Sequence, residues 1–123
     1  MNRLQLCKVV GVVFLACGLA SAQHITTFEA PGAGTSSGQG SSGISINLEG
    51  RVLGFFADSN NVVHTFLCGA GCTSPRTFTT FEAPDAGTGA NQGTLASSIN
   101  LEGEISENYI DASGVNHGFL RTP

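Results

Sequence analysis

The sequence predicts an all-β protein built from two tandem four-stranded antiparallel modules of about 53 residues, each like a propeller blade. Three observations carry this. After its first two dozen residues the chain is written twice: Ser45-Ile46-Asn47-Leu48-Glu49-Gly50 returns 53 positions later as Ser98-Ile99-Asn100-Leu101-Glu102-Gly103. Thr26-Thr27-Phe28-Glu29-Ala30-Pro31 returns at the same offset as Thr79-Thr80-Phe81-Glu82-Ala83-Pro84. Within each copy, short runs of Val, Ile, Phe and Thr alternate with turn residues every 8–12 residues or so, the spacing of hairpins. Finally, Gly, Ser, Thr and Asn are abundant and no long stretch is rich in Leu, Lys and Glu, which argues against a helical fold. Repeats of roughly 50 residues mark propellers and stacked arrays.

Residues 1–22 have the pattern of a secretory signal peptide. Arg3 and Lys8 form a positive start, Val9 to Leu19 an apolar stretch, and Ala20-Ser21-Ala22 a small-residue cleavage site. The apolar run, interrupted by Gly11 and Gly18, falls short of the roughly 20 residues a spanning helix needs. Cleavage after Ala22 makes residues 23–123 one two-repeat β domain, repeat one about 24–76 and repeat two about 77–123. A minor alternative reads Phe14-Leu15-Ala16-Cys17 as a loose lipoprotein box with Cys17 acylated. The expected location is therefore periplasmic or extracellular.

Taken in order, the expected strands of copy one are Ile25–Ala30, Gly43–Leu48, Arg51–Ala57 and Val62–Cys68. Pro31 ends the first, and a loop too rich in Gly and Ser for regular structure covers Gly32–Ser42. Glu49-Gly50 and Asp58-Ser59-Asn60-Asn61 supply the turns. Copy two repeats the course with Arg76–Ala83, Leu95–Leu101, Glu104–Ile110 and Val115–Arg121, around a loop at Asp85–Thr94. Two blades cannot close a ring, since propellers use about four or more. The open alternatives are self-association into a ring, collapse into a small eight-stranded sandwich or barrel, and truncation of a longer propeller.

Past residue 22 the chain keeps nine acids against Arg51, Arg76 and Arg121, a formal charge of −6. That balance argues against nucleic acid and anionic membrane surfaces as partners, since both demand basic patches. No lysine remains there, so amine nucleophiles and Schiff-base chemistry are excluded as well. Cys68 and Cys72 flank a glycine-rich loop in a chain bound for an oxidising compartment, and a disulfide is the expected pairing. Its repeat counterpart at 121 is Arg121, so the bridge belongs to one copy only.

At His64-Thr65-Phe66-Leu67 and His117-Gly118-Phe119-Leu120 the module resembles the bacterial extracellular repeat of the HAF type. In that pattern an Ile-Asn…Gly turn leads into a strand ending near Asp, followed by His-Ala/Gly-Phe-Leu. The matching residues are Asn47, Gly50, Asp58, His64 and Phe66, then Asn100, Gly103, Asp111, His117 and Phe119. The resemblance covers nearly all of residues 23–123 and implies a β-propeller-like architecture outside the cell, with little chemistry attached. Glu107 departs from it, standing where copy one has Gly54 and where the family keeps a glycine.

The candidate chemistry is sparse. His64 and His117 recur at equivalent places, which favours a structural role over catalysis by one specialised copy. Asn47 and Asn100 are expected to satisfy turn backbone, and Asp58 and Asp111 to start turns. Glu49 and Glu102 are turn-exposed. Gly38-Gln39-Gly40-Ser41-Ser42-Gly43 spells a dinucleotide fingerprint, but a strand follows it where the fingerprint needs a helix. Asp58-Ser59-Asn60-Asn61 lacks the ligand count of a calcium loop, and no cofactor is implied. The predicted function is a secreted non-enzymatic β-repeat protein, a structural or binding module. Its expected partners are further copies of itself, or a glycan or other cell-surface ligand. A lectin-like reading places weak sites in the matched loops, at Gln39 and Gln92. A truncated remnant of a longer propeller is the further alternative.

Overall fold

A computed structural model describes residues 22–123, so the predicted leader and Cys17 lie outside the described residues. Seven strands and no α-helix are found among them. They are β1 (Gly40–Ile46), β2 (Val52–Ala57), β3 (Val63–Cys68), β4 (Phe78–Phe81), β5 (Gly93–Ile99), β6 (Ile105–Ile110) and β7 (Asn116–Arg121). The strands run β1-β2-β3-β5-β6-β7 across the curled sheet, and β4 also pairs with β3.

Every ladder is antiparallel except one. β1 to β4 form a meander, β5 to β7 form a second, and a single parallel pair, Val63 with Gly93, joins them. The repeat is visible in the backbone. A β-bulge breaks the first ladder of each copy at the same place, between Gly43 and Ser45 and between Ala96 and Ser98. Gly50 and Gly103 take φ +75° and +86° in matched hairpin turns, a conformation that glycine adopts without steric cost.

The copies are not equal in strand count. Phe78–Phe81 pairs with β3, but its counterpart, residues 25–28, has no ladder among the described residues, so the strand expected at Ile25–Ala30 is absent there. The reason is the lack of an edge to join. β4 lies on the strand that precedes it, and no strand precedes residues 25–28 among the described residues. The loops are also shorter than predicted, because β1 begins at Gly40 and β5 at Gly93.

Two apolar clusters hold the sheet. On one face of the first meander Ala30, Phe56, Phe66, Cys68 and Cys72 are buried, with Phe28 and Phe78 packed beside them. Phe28 meets Phe66 edge-on at 6.0 Å between ring centroids. The other face lays Leu53 and Leu67 against Ala96, Ile99 and Ile105 of the second meander, with Phe81 at the margin. This second cluster glues the copies together, and burial of each such aliphatic side chain contributes roughly 1.5–3 kcal/mol. Cys68 and Cys72 form the expected disulfide, which ties the end of β3 to a 3-10 turn at Ala70–Cys72.

Candidate functional site

The signature residues are first of all turn fasteners. Asn47 Oδ1 accepts from the backbone N–H groups of Glu49 and Arg51 at 3.1 and 3.0 Å. Asn100 Oδ1 accepts from Glu104 N at 2.8 Å, while its amide donates to Glu104 Oε2. Asp58 Oδ1 accepts from Asn60 N and Val62 N, and Asp111 Oδ1 from Ser113 N and Val115 N. Each side chain replaces a missing backbone partner in a hairpin, the usual work of Asn and Asp in turns.

His64 does more. It follows Val63, which bridges to β5, and precedes Thr65, where pairing with β4 starts, so its ring stands where the sheet forks. Nε2 lies 3.2 Å from Asp58 Oδ2 and Nδ1 2.6 Å from Glu82 Oε1, and the ring stacks on Phe56. Ionised carboxylates only accept, so the imidazolium form, donating from both nitrogens, satisfies both contacts. Burial works against that charge, but the bonds to Glu82 and Asp58 outweigh it and raise the pKa of His64 above its ordinary value. Asp58 moves the other way. Burial opposes its charge, and the bonds from Val62 N, His64 and Asn60 N overcome this and lower its pKa.

Beside this cluster a hollow of ≈ 310 Å³ opens at the boundary between the copies, walled by Val62, His64, Glu82, Ala83, Gly87 and Thr88. Its floor is braced by Thr94, whose hydroxyl donates to Glu82 Oε2 and accepts from Ala83 N. A hollow of ≈ 350 Å³ at the start of the first copy is lined by the repeat counterparts Glu29, Ala30, Gly34 and Thr35. It has no histidine wall. His117 lies far along the fold on β7, where Nε2 donates to Asp111 Oδ2 at 2.9 Å and the ring stacks on Tyr109. The bond to His117 is the main cause of a lowered pKa at Asp111. Phe66 is fully buried beneath the first cluster, and Phe119 is half-buried against Tyr109.

Gln39 and Gln92 hold their loops closed. Gln39 Oε1 accepts from Ser36 N, and its amide donates to Ser59 O and Asn61 Oδ1. Gln92 likewise accepts from Gly89 N and donates to Ala112 O. Each ties a glycine-rich loop to the hairpin turn of its own module, with its amide turned toward the protein.

Glu107 is the residue that the repeat marked as odd without giving it a role. It is 3% exposed, and neither carboxylate oxygen has a hydrogen-bond partner among the described residues. Desolvation raises its pKa to about 7, and the Arg121 charge works against that rise. The hydroxyl of Thr65 is buried without a partner of its own. At the matched position a Cβ on Gly54 would lie 2.5 Å from the Phe66 ring and 2.2 Å from Ser42 O, so copy one has no room for a side chain there.

No family model, no curated protein and no solved structure matches this chain. Among the described residues no three His, Cys, Asp or Glu side chains are placed to hold a metal ion, and no helix is long and apolar enough to cross a membrane.

Proposed function

We propose that the chain is a secreted, non-enzymatic β-repeat protein of the HAF type, a propeller-like module that binds a small polar ligand, with carbohydrate the favoured class. The observation that carries the reading is the recurrence of a hollow at the start of each copy, framed by the same Glu-Ala-Pro and Ala-Gly-Thr segments. Recurrent hollows suit weak multivalent capture. The walls offer a carboxylate, a threonine hydroxyl and bare loop backbone, the kind of acceptors and donors that sugar hydroxyls meet. Catalysis is disfavoured by the same geometry, because both nitrogens of His64 are already engaged by carboxylates and neither is free to move a proton on a substrate. The strongly negative balance past residue 22 favours a neutral or cationic ligand.

The test is a glycan array read with the purified protein, beside the Thr88→Trp variant, whose ring would fill the boundary hollow. Binding to a defined set of glycans that the variant loses supports the reading. Absence of binding across the array, or binding that survives the substitution, counts against it.

A further inference from the structure

Among the described residues the joint between the two copies exists once, but both halves of a second joint are present and unpaired. The internal joint has four parts. β4 pairs with β3, in register Thr65–Phe81, Phe66–Thr80, Leu67–Thr79 and Cys68–Phe78. Glu82 reaches back to His64. Val63 N donates to Gln92 O and Asn91 N to Asn61 O, both at 2.8 Å. Leu67 fills the space between Ile99, Ile105 and Phe81.

Each part has its counterpart, split between opposite ends of the sheet. Among the described residues β7 offers an open edge, and residues 25–28 carry Thr-Thr-Phe without a strand partner. The Nδ1 atom of His117 and the Glu29 carboxylate have no hydrogen-bond partner among the described residues. Leu120, the counterpart of Leu67, is 63% exposed. Ile46, the counterpart of Ile99, is 66% exposed beside an apolar hollow of ≈ 330 Å³ lined by Phe28, Gly43 and Val52.

The glycines make the same point. Gly93 has φ +115°, and a Cβ there would meet Val63 O at 1.9 Å, because the two copies touch backbone to backbone. Gly40 keeps the same bend at φ +103°, yet its nearest neighbour would be Gly34 O at 4.0 Å. It is shaped for a close approach that the single chain does not make.

We propose that these ends meet between chains: residues 25–28 of a second copy add as a strand to the edge of β7, and Glu29 of that copy bonds His117 of the first. The predicted register sets Gly118 opposite Phe28, Phe119 opposite Thr27, Leu120 opposite Thr26 and Arg121 opposite Ile25. Leu120 enters the ≈ 330 Å³ hollow, and the hollow beside Glu29 gains the His117 wall that its twin has from His64. The contact is head-to-tail, so rotation at the joint either closes a ring or runs on as a filament. A closed ring takes about two to four chains, because propellers close with roughly 4–8 blades. The occupant is a second copy, and no other protein is needed, because Thr-Thr-Phe-Glu and His-x-Phe-Leu, the two halves already joined inside the chain, both recur at these ends. The inference does not depend on any ligand.

Protein recovered from a host expressing the full chain is measured by sedimentation velocity from micromolar to near-millimolar concentration. The expected result is a discrete species heavier than one chain, at least tenfold depleted in Leu120→Glu and in Thr27→Pro, with unchanged circular dichroism in both. Disulfide trapping supplies a readout independent of those variants: Thr26→Cys with Leu120→Cys should cross-link between chains at least tenfold faster than Thr26→Cys with Gly118→Cys. A monomer across the whole range overturns the proposal. So does association that survives both substitutions, or cross-linking at equal rates in the two registers.

Discussion

Leu67 and Leu120 hold the same place in the repeat, in strands of the same length, yet one is 7% exposed and the other 63%. Ile99 and Ile46 differ as widely, at 7% and 66%. Local sequence therefore decides which face a side chain takes, and the neighbouring module decides whether that face is core or surface. The boundary between the copies and the two outer ends carry nearly the same apolar residues at very different energies.

The sharpest way to break this comparison is to truncate both leucines. Leu67→Ala should cost roughly 2–5 kcal/mol of unfolding free energy, the range for buried leucines. Leu120→Ala, measured by urea unfolding at concentrations where the chain is monomeric, should stay within about 0.5 kcal/mol. Equal costs would mean that the boundary is no better packed than the ends.

Glu107 sharpens the contrast electrostatically, because copy one has only a glycine there. Its folded pKa of about 7 lies above its ordinary 4.5, so its protonated form favours the folded state. That contribution is whole below about pH 4.5 and is lost as pH rises through about 7, a loss on the order of 3 kcal/mol by pH 8. Urea unfolding of the parent chain and of Glu107→Gln at pH 4 and pH 8 should show the gap between them change by that order. A gap independent of pH would place Glu107 in water.

The disulfide has no partner in copy two. Cys68→Ser with Cys72→Ser should lower stability by about 2 kcal/mol from loop entropy alone, read as a lower thermal midpoint. A smaller effect belongs to the His64 cluster. Glu82→Gln should cost about 1 kcal/mol or less, since the pair is partly solvated. NMR titration of His64 should show its midpoint fall. The raised pKa means that this contribution is whole below about 6.5 and fades as pH climbs through the folded midpoint, so the cost should be visible at pH 6 and shrink in alkali. Glu29→Gln in the monomer should move nothing.

The all-β class, the hairpin turns and the disulfide were legible in the sequence because they depend on local chemistry. Asn47, Gly50, Asp58 and Cys68 do their work within a few residues of themselves. The missing first strand was not legible. Residues 25–28 and 79–81 share Thr-Thr-Phe, and only the presence of β3 beside the second makes a strand of it. The Glu82 half of the carboxylate pair around His64 was hidden for a similar reason, since Glu82 lies 18 residues away and belongs to the next copy. Glu107 broke the repeat visibly, but its burial depends on how the two meanders lie against each other.

Seen as a pathway, the sheet has an uneven demand on chain entropy. All its ladders but one join consecutive strands, and the exception is the lone Val63–Gly93 bridge. Two independent meanders can zip by neighbour-to-neighbour steps before the docking of Leu67 on Ile99 and Ile105 commits the search. Neighbour-to-neighbour pairing of this kind should bring refolding toward the fast side of the roughly millisecond-to-second range of all-β domains, with amide exchange slowest in β2, β3, β5 and β6 and fastest along β7.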